Sequence, residues 1–144
     1  MKKLLLLFLL LFFFSCNDDP DNPDVLIEYG TECGWGVGEI ISISEDKIDY
    51  SKSSIGVENP DIESKSKSIS ASEWDELLNL YDYGFFRTLD YNAMNVSFDG
   101  CDEIIRITQL DNKHEIRYDP STEIEGLESF QERLNELLVE MRDY

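Results

Sequence analysis

The chain has 144 residues, and its 12 Lys and Arg face 31 Asp and Glu, giving a net charge of −19. A field of that sign repels phosphate polymers and anionic headgroups, which excludes nucleic-acid binding and attachment to a membrane through a basic patch. The length suits one modest domain able to bury a core of its own.

The chain opens with a short basic start, Met1-Lys2-Lys3, then an unbroken apolar run from Leu4 to Phe14, then Ser15-Cys16. Basic, apolar and small, in that order, is the pattern of a secretory signal peptide. As a helix the run rises about 16 Å, half of a roughly 30 Å hydrocarbon core, so it is too short for a transmembrane anchor. Ser15-Cys16 at the expected cut resembles the lipobox of bacterial lipoproteins, although Phe13 and Phe14 stand where leucine and a small residue are usual. The resemblance implies that residues 1–15 are removed, that Cys16 is acylated and becomes the N-terminus, and that the protein is lipid-anchored at the outer membrane. Two or more acyl chains hold stably where one does not. Asn17 lacks the aspartate that retains enterobacterial lipoproteins in the inner membrane. An ordinary signal peptide followed by a chance cysteine is the alternative.

Residues 17–24 read NDDPDNPD, which has no apolar residue and cannot form a core. With Cys16 this is an acidic tether, extended by its prolines and like charges. Cys16-Asn17-Asp18-Asp19 also resembles the acidic export signal of Bacteroidota surface lipoproteins, which implies exposure on the cell surface, a mere spacer being the alternative.

A single domain is expected over residues 25–144. Val25 to Tyr29 is apolar and β-prone, and Thr31 to Gly38 carries three glycines that predict a loop or a bulged bend. Glu39 to Ser44 and Lys47 to Ser51 alternate as a hairpin, with Ile41, Ile43, Ile48 and Tyr50 on one side. Lys52 to Ser68 is rich in Ser, Lys and Glu and reads as a long exposed connection, with Ile55-Gly56-Val57 a candidate short edge strand.

Ser70 with Glu73 three residues on makes a capping box, and Trp74, Leu77, Leu78 and Tyr81 follow on one helical face. Gly84 is a natural stop, with Phe85-Phe86 plugging the core beside it. Asp90 to Gly100 is irregular. Ile104 to Leu110 and Lys113 to Tyr118 pair as a second hairpin around Asp111-Asn112. Ile124, Leu127, Phe130, Leu134, Leu137, Leu138 and Met141 then recur at three- and four-residue steps, a long C-terminal helix facing the core. Thr122 and Glu125 could cap it, although Gly126 can push its start later. The fold class is therefore α+β: an antiparallel sheet of four to five strands packed by the long C-terminal helix and the shorter Trp74 helix.

With Cys16 acylated, Cys33 and Cys101 form an even pair in a compartment that permits oxidation. A bridge between them is one reading, and two buried free thiols is the other. A catalytic cysteine lacks a partner, since no motif joins His114, the only histidine, to either.

Cys33-Gly34-Trp35, the SEWDEL run Ser72–Leu77, the DGCDE run Asp99–Glu103 and the closing helix together resemble a family of small uncharacterised lipoproteins from Bacteroidota, a domain of unknown function. Gly36 stands where those proteins often carry a further cysteine, and Asn95 to Phe98 has none. The resemblance implies an envelope location, one α+β domain and Cys33 with Cys101 as the natural pair. It implies no activity.

Asp99, Asp102 and Glu103 around Gly100 invite a calcium reading, but the spacing of a calcium loop is absent and a polar turn explains them equally. His114 beside Glu115 has no second histidine to complete a zinc site. No metal and no cofactor is expected, and no catalytic constellation stands out. Trp35, between Gly34 and Gly36, is a binding anchor if exposed and structural if packed over a Cys33–Cys101 bridge. The structural role is the expectation.

The expected function is a non-enzymatic, lipid-anchored envelope module that binds a protein or glycan. An inhibitor of a protease or lytic enzyme is the alternative, favoured if a rigid loop projects at Trp35. A small hydrolase using paired carboxylates would need a deep pocket holding at least two of them.

Overall fold

Apolar residues occupy alternate positions in five strands, and that alternation builds the sheet. The computed structural model describes residues 24–54 and 63–144. Six strands, β1 (Val25–Cys33), β2 (Val37–Ile43), β3 (Lys47–Ser54), β4 (Glu63–Ser68), β5 (Cys101–Gln109) and β6 (Asn112–Tyr118), form one antiparallel sheet in the order β4-β3-β2-β1-β5-β6. Among the described residues three α-helices, α1 (Ala71–Leu78), α2 (Tyr83–Phe86) and α3 (Glu128–Asp143), accompany it.

The α+β class and the two covering helices agree with expectation, but the strands among the described residues number six, not four to five. The additional strand is β4, ESKSKS, inside the stretch read as an exposed connection. It has no apolar residue to show period two. Lys65 and Lys67 instead reach the C-terminal turns of α3, Lys65 donating to the Arg142 carbonyl at 2.7 Å and Lys67 lying 3.4 Å from Glu140. Ile55 to Val57, the candidate edge strand, lies outside the described residues.

One face of the sheet carries Ile27, Tyr29, Ile41, Ile43, Ile48, Tyr50, Ile105, Ile107, Ile116 and Tyr118, all buried. The helices lie on that face. From α3 come Phe130, Leu134, Leu137, Leu138 and Met141, and from α1 Trp74 and Leu77. The α1 capping box forms as expected: Ser70 Oγ accepts from Glu73 N–H at 3.3 Å, and Glu73 accepts from Ser70 N–H at 3.0 Å.

The expectations at Gly84 and Phe85 are corrected. Gly84 ends nothing, because α1 has already stopped and Gly84 sits inside α2, capped by Asp82. Phe86 plugs the core as expected, whereas Phe85 is 39% exposed. The final helix starts at Glu128, later than Thr122, because Gly126 turns the chain at φ +87°. Ile124 and Leu127 are buried ahead of the helix, closing its lower end. No helix among the described residues is long and apolar enough to cross a membrane.

Among the described residues the opposite face carries no α-helix and divides in two. Across β1, β5 and β6 runs a ladder of charge. Arg106 bonds Glu28 at 3.0 Å and Glu115 at 2.6 Å, while Arg117 bonds Glu115 at 2.9 Å and Glu32 at 2.8 Å. Across β3 and β4 the same face is polar, with Ser66 donating to Asp49 at 2.8 Å.

Candidate interaction site at the disulfide end of the sheet

Cys33 ends β1 and Cys101 begins β5, and the register places them directly opposite one another. They are joined by a disulfide, with Cα atoms 4.0 Å apart. An opposed pair of this close-approach kind brings its two side chains together. One residue beyond the bridge, Gly34 N–H donates to the Gly100 carbonyl at 2.9 Å, so the strand pairing continues into the tip. Gly36 N–H then donates to the Cys33 carbonyl at 2.9 Å and closes a tight turn. The glycine-rich stretch is thus a short turn between β1 and β2, shorter than the loop its composition predicts.

A second segment lies against that turn. Asn95–Phe98 forms a 3-10 turn, and Asn95 N–H donates to Asp102 Oδ1 at 3.0 Å. Gly100 N–H returns to the Asn95 carbonyl at 2.8 Å, with Asp99 in the left-handed region at φ 59°. Just before it, Arg117 N–H donates to the Tyr91 carbonyl and Ala93 N–H to the Arg117 carbonyl, both at 2.9 Å, so the segment runs along the free edge of β6. The two pieces touch at Gly34, where a Cβ would fall 2.2 Å from the Val96 carbonyl oxygen. Only glycine permits that approach.

Trp35 stands on this scaffold and is 60% exposed. The expectation that it packs over the bridge is therefore overturned. The turn is so short that its central side chain projects outward, and the 3-10 segment, not the indole, covers the strand ends. Phe98, 84% exposed, and Met94, 61% exposed, project from the adjoining segment. Three large apolar side chains thus emerge at one pinned end of the sheet, whereas scattered single ones are ordinary on a protein surface.

The remaining site residues separate. Strand alternation sends Asp102 and Glu103 to opposite faces, so the acidic run around Gly100 does not converge on one cation. Among the described residues there is no group of three or more His, Cys, Asp or Glu able to hold a metal. Asp102 is fully buried opposite Glu32, and its Oδ2 has no hydrogen-bond partner. His114 Nε2 lies 2.9 Å from the Leu89 carbonyl, and its ring stacks edge-on against Phe86 at 5.3 Å, a structural role.

Glu103 occupies the helix face, half-buried between the Tyr29 and Tyr118 phenols. Burial raises its carboxyl above the ordinary value, with the tyrosine hydroxyls opposing that shift. It lines a cleft with Tyr29, Gln131, Glu123, Glu128 and Glu132 that stays open to solvent. Four carboxylates therefore do gather, but on an open surface. Cys16 and residues 17–23 of its tether lie outside the described residues.

Phe98 and Met94 were not legible in the sequence. They fall in a stretch without periodicity, and the available signal was two large apolar residues in a segment with no helix or strand to bury them. No protein-family model matches the chain, and no curated protein is similar to it.

Proposed function

We propose that this chain is a lipid-anchored cell-envelope module, held at the outer membrane through acylated Cys16, that works by binding and not by catalysis. Its contact surface is the end of the sheet that carries Trp35, Phe98 and Met94. One observation carries the reading: an exposed tryptophan mounted on a turn pinned by the Cys33–Cys101 bridge and the Gly34–Gly100 hydrogen bond. Rigid aromatic side chains on pre-ordered backbone lose little entropy on binding and make good anchors. The N-terminal pattern and the resemblance to Bacteroidota lipoproteins support the location. The bound partner is a protein or a glycan.

The same rigid, projecting turn supports a second reading, an inhibitor that inserts Trp35 into the cleft of a protease or lytic enzyme. Both readings place the contact at one end of the domain. Native electrophoresis of detergent-solubilised envelopes tests them together. The wild-type chain is expected to migrate as a complex larger than itself, and Trp35→Ala to migrate as the free chain. Equal migration of the two would remove the rim as the contact.

A further inference from the structure

We infer that the partner is a basic protein presenting an apolar pocket bordered by Lys or Arg, which receives the Trp35 and Phe98 knob. This rests on the rim being the contact surface, and it concerns who occupies it.

Shape is the first argument. Trp35, Met94 and Phe98 are all more than half exposed and project from short turns, so the surface is convex. Three clefts of the domain lie away from this end, beside Trp74, beside Glu103 and over the serines of β3 and β4. A small sugar needs a concave or flat site whose polar groups surround its hydroxyls. A knob needs a partner that supplies the concavity, and a folded protein does so.

Charge is the second argument. Gly30 to Gly38 and Tyr91 to Glu103, the two segments that carry the knob, contain no Lys or Arg, but they contain Glu32, Asp99, Asp102 and Glu103, and Lys52 at the end of β3 stands in register with Glu39. Arg117, held to the 91–93 backbone, commits its guanidinium to Glu32 and Glu115. Behind the knob, buried Asp102 faces Glu32 across the strands without a cation bonded to its Oδ2. Apolar anchors in a net negative field select a cationic rim and repel an acidic one. The face of Trp35 adds a cation–π contact for a bordering Lys or Arg, and the net charge of −19 steers such a partner from a distance.

The test uses the full chain in the cells that make it, with a photo-cross-linking residue at position 35 and, as control, at position 66 on the serine-bearing face. The captured protein is identified, purified and titrated against the unmodified chain at about 50 and 200 mM salt, where screening differs strongly. The expected partner is captured at 35 and not at 66, and its isoelectric point lies above neutrality. Its affinity falls tenfold or more with Trp35→Ala and severalfold at the higher salt. Asp99→Asn, which keeps the left-handed backbone, weakens it severalfold. An acidic partner, a glycan in place of a protein, or affinity indifferent to salt and to Asp99→Asn overturns the inference and leaves the rim as the contact. Equal capture at 35 and 66, or no effect of Trp35→Ala, overturns both.

Discussion

Cys33 and Cys101 are register partners in adjacent strands, and their disulfide joins residues 68 apart in sequence at the point where β1 ends and β5 begins. The bond therefore unites two distant segments into one tip. On the chain-entropy model a closed loop of this size contributes about 4 kcal/mol by restricting the unfolded chain. Cys33→Ser/Cys101→Ser is expected to lose stability of that order, measured by urea unfolding, and to increase amide exchange most strongly over residues 94–100. Uniform exchange across the domain would show that the bridge does not order the tip specifically.

Exposure separates the proposed contact residues from the core. Trp35→Ala and Phe98→Ala are expected to shift unfolding free energy by no more than about 0.5 kcal/mol, the range of surface changes. Phe130→Ala removes a fully buried ring that stacks on Tyr81 at 4.8 Å, and it is expected to cost about 3–5 kcal/mol. A loss at Trp35 comparable to that at Phe130 would make the indole structural after all.

Gly34 offers a sharper probe of the tip. A Cβ there meets the Val96 carbonyl at 2.2 Å, and backbone on both sides leaves nothing to yield. Gly34→Ala is expected to push the 3-10 segment away and weaken the Asn95–Asp102 hydrogen bond, seen as chemical-shift changes at Asn95 and Gly100. Unchanged shifts would mean the two segments do not touch.

The charge ladder predicts a pH dependence. Burial alone raises the Glu115 carboxyl, but its bonds to Arg106 and Arg117 outweigh that and hold it below its ordinary 4.5. Its stabilising contribution is thus present above 4.5 and lost as pH falls through the lowered folded value. Glu103 has the opposite sign. Its raised carboxyl makes stability fall as pH climbs from the ordinary value to the raised one. Thermal unfolding across acid pH is expected to show Glu115→Gln destabilised at neutral pH and converging on wild type in acid. Glu103→Gln should lose the fall seen as pH rises.

Anchoring is tested separately. Cys16→Ala is expected to move the protein from the membrane fraction to the soluble fraction, since the acidic surface gives no other hold on anionic lipid. Continued membrane retention would contradict lipidation.

Much of this architecture was legible in the sequence, and the exceptions are instructive. The stripe from Ile124 to Met141 is buried throughout, because burial against a sheet demands the spacing that reveals it. β4 was hidden because an edge strand needs no apolar alternation when lysine stems reach the helix ends. Trp35 could be named but not oriented. Whether it covers the bridge depends on the length of the turn and on the 91–100 segment arriving to cover it, a tertiary relationship that local spacing does not encode. Phe98 and Met94 escaped for the same reason.

The most direct measurement is hydroxyl-radical footprinting of the protein in intact envelopes against the purified chain. Trp74, 2% exposed, serves as the internal buried reference. Oxidation of Trp35, Met94 and Phe98 is expected to be several times slower in the envelope, with other exposed residues such as Leu110 and Tyr144 unchanged. Equal oxidation in both settings would contradict the account, because an unoccupied rim is not a binding surface at work.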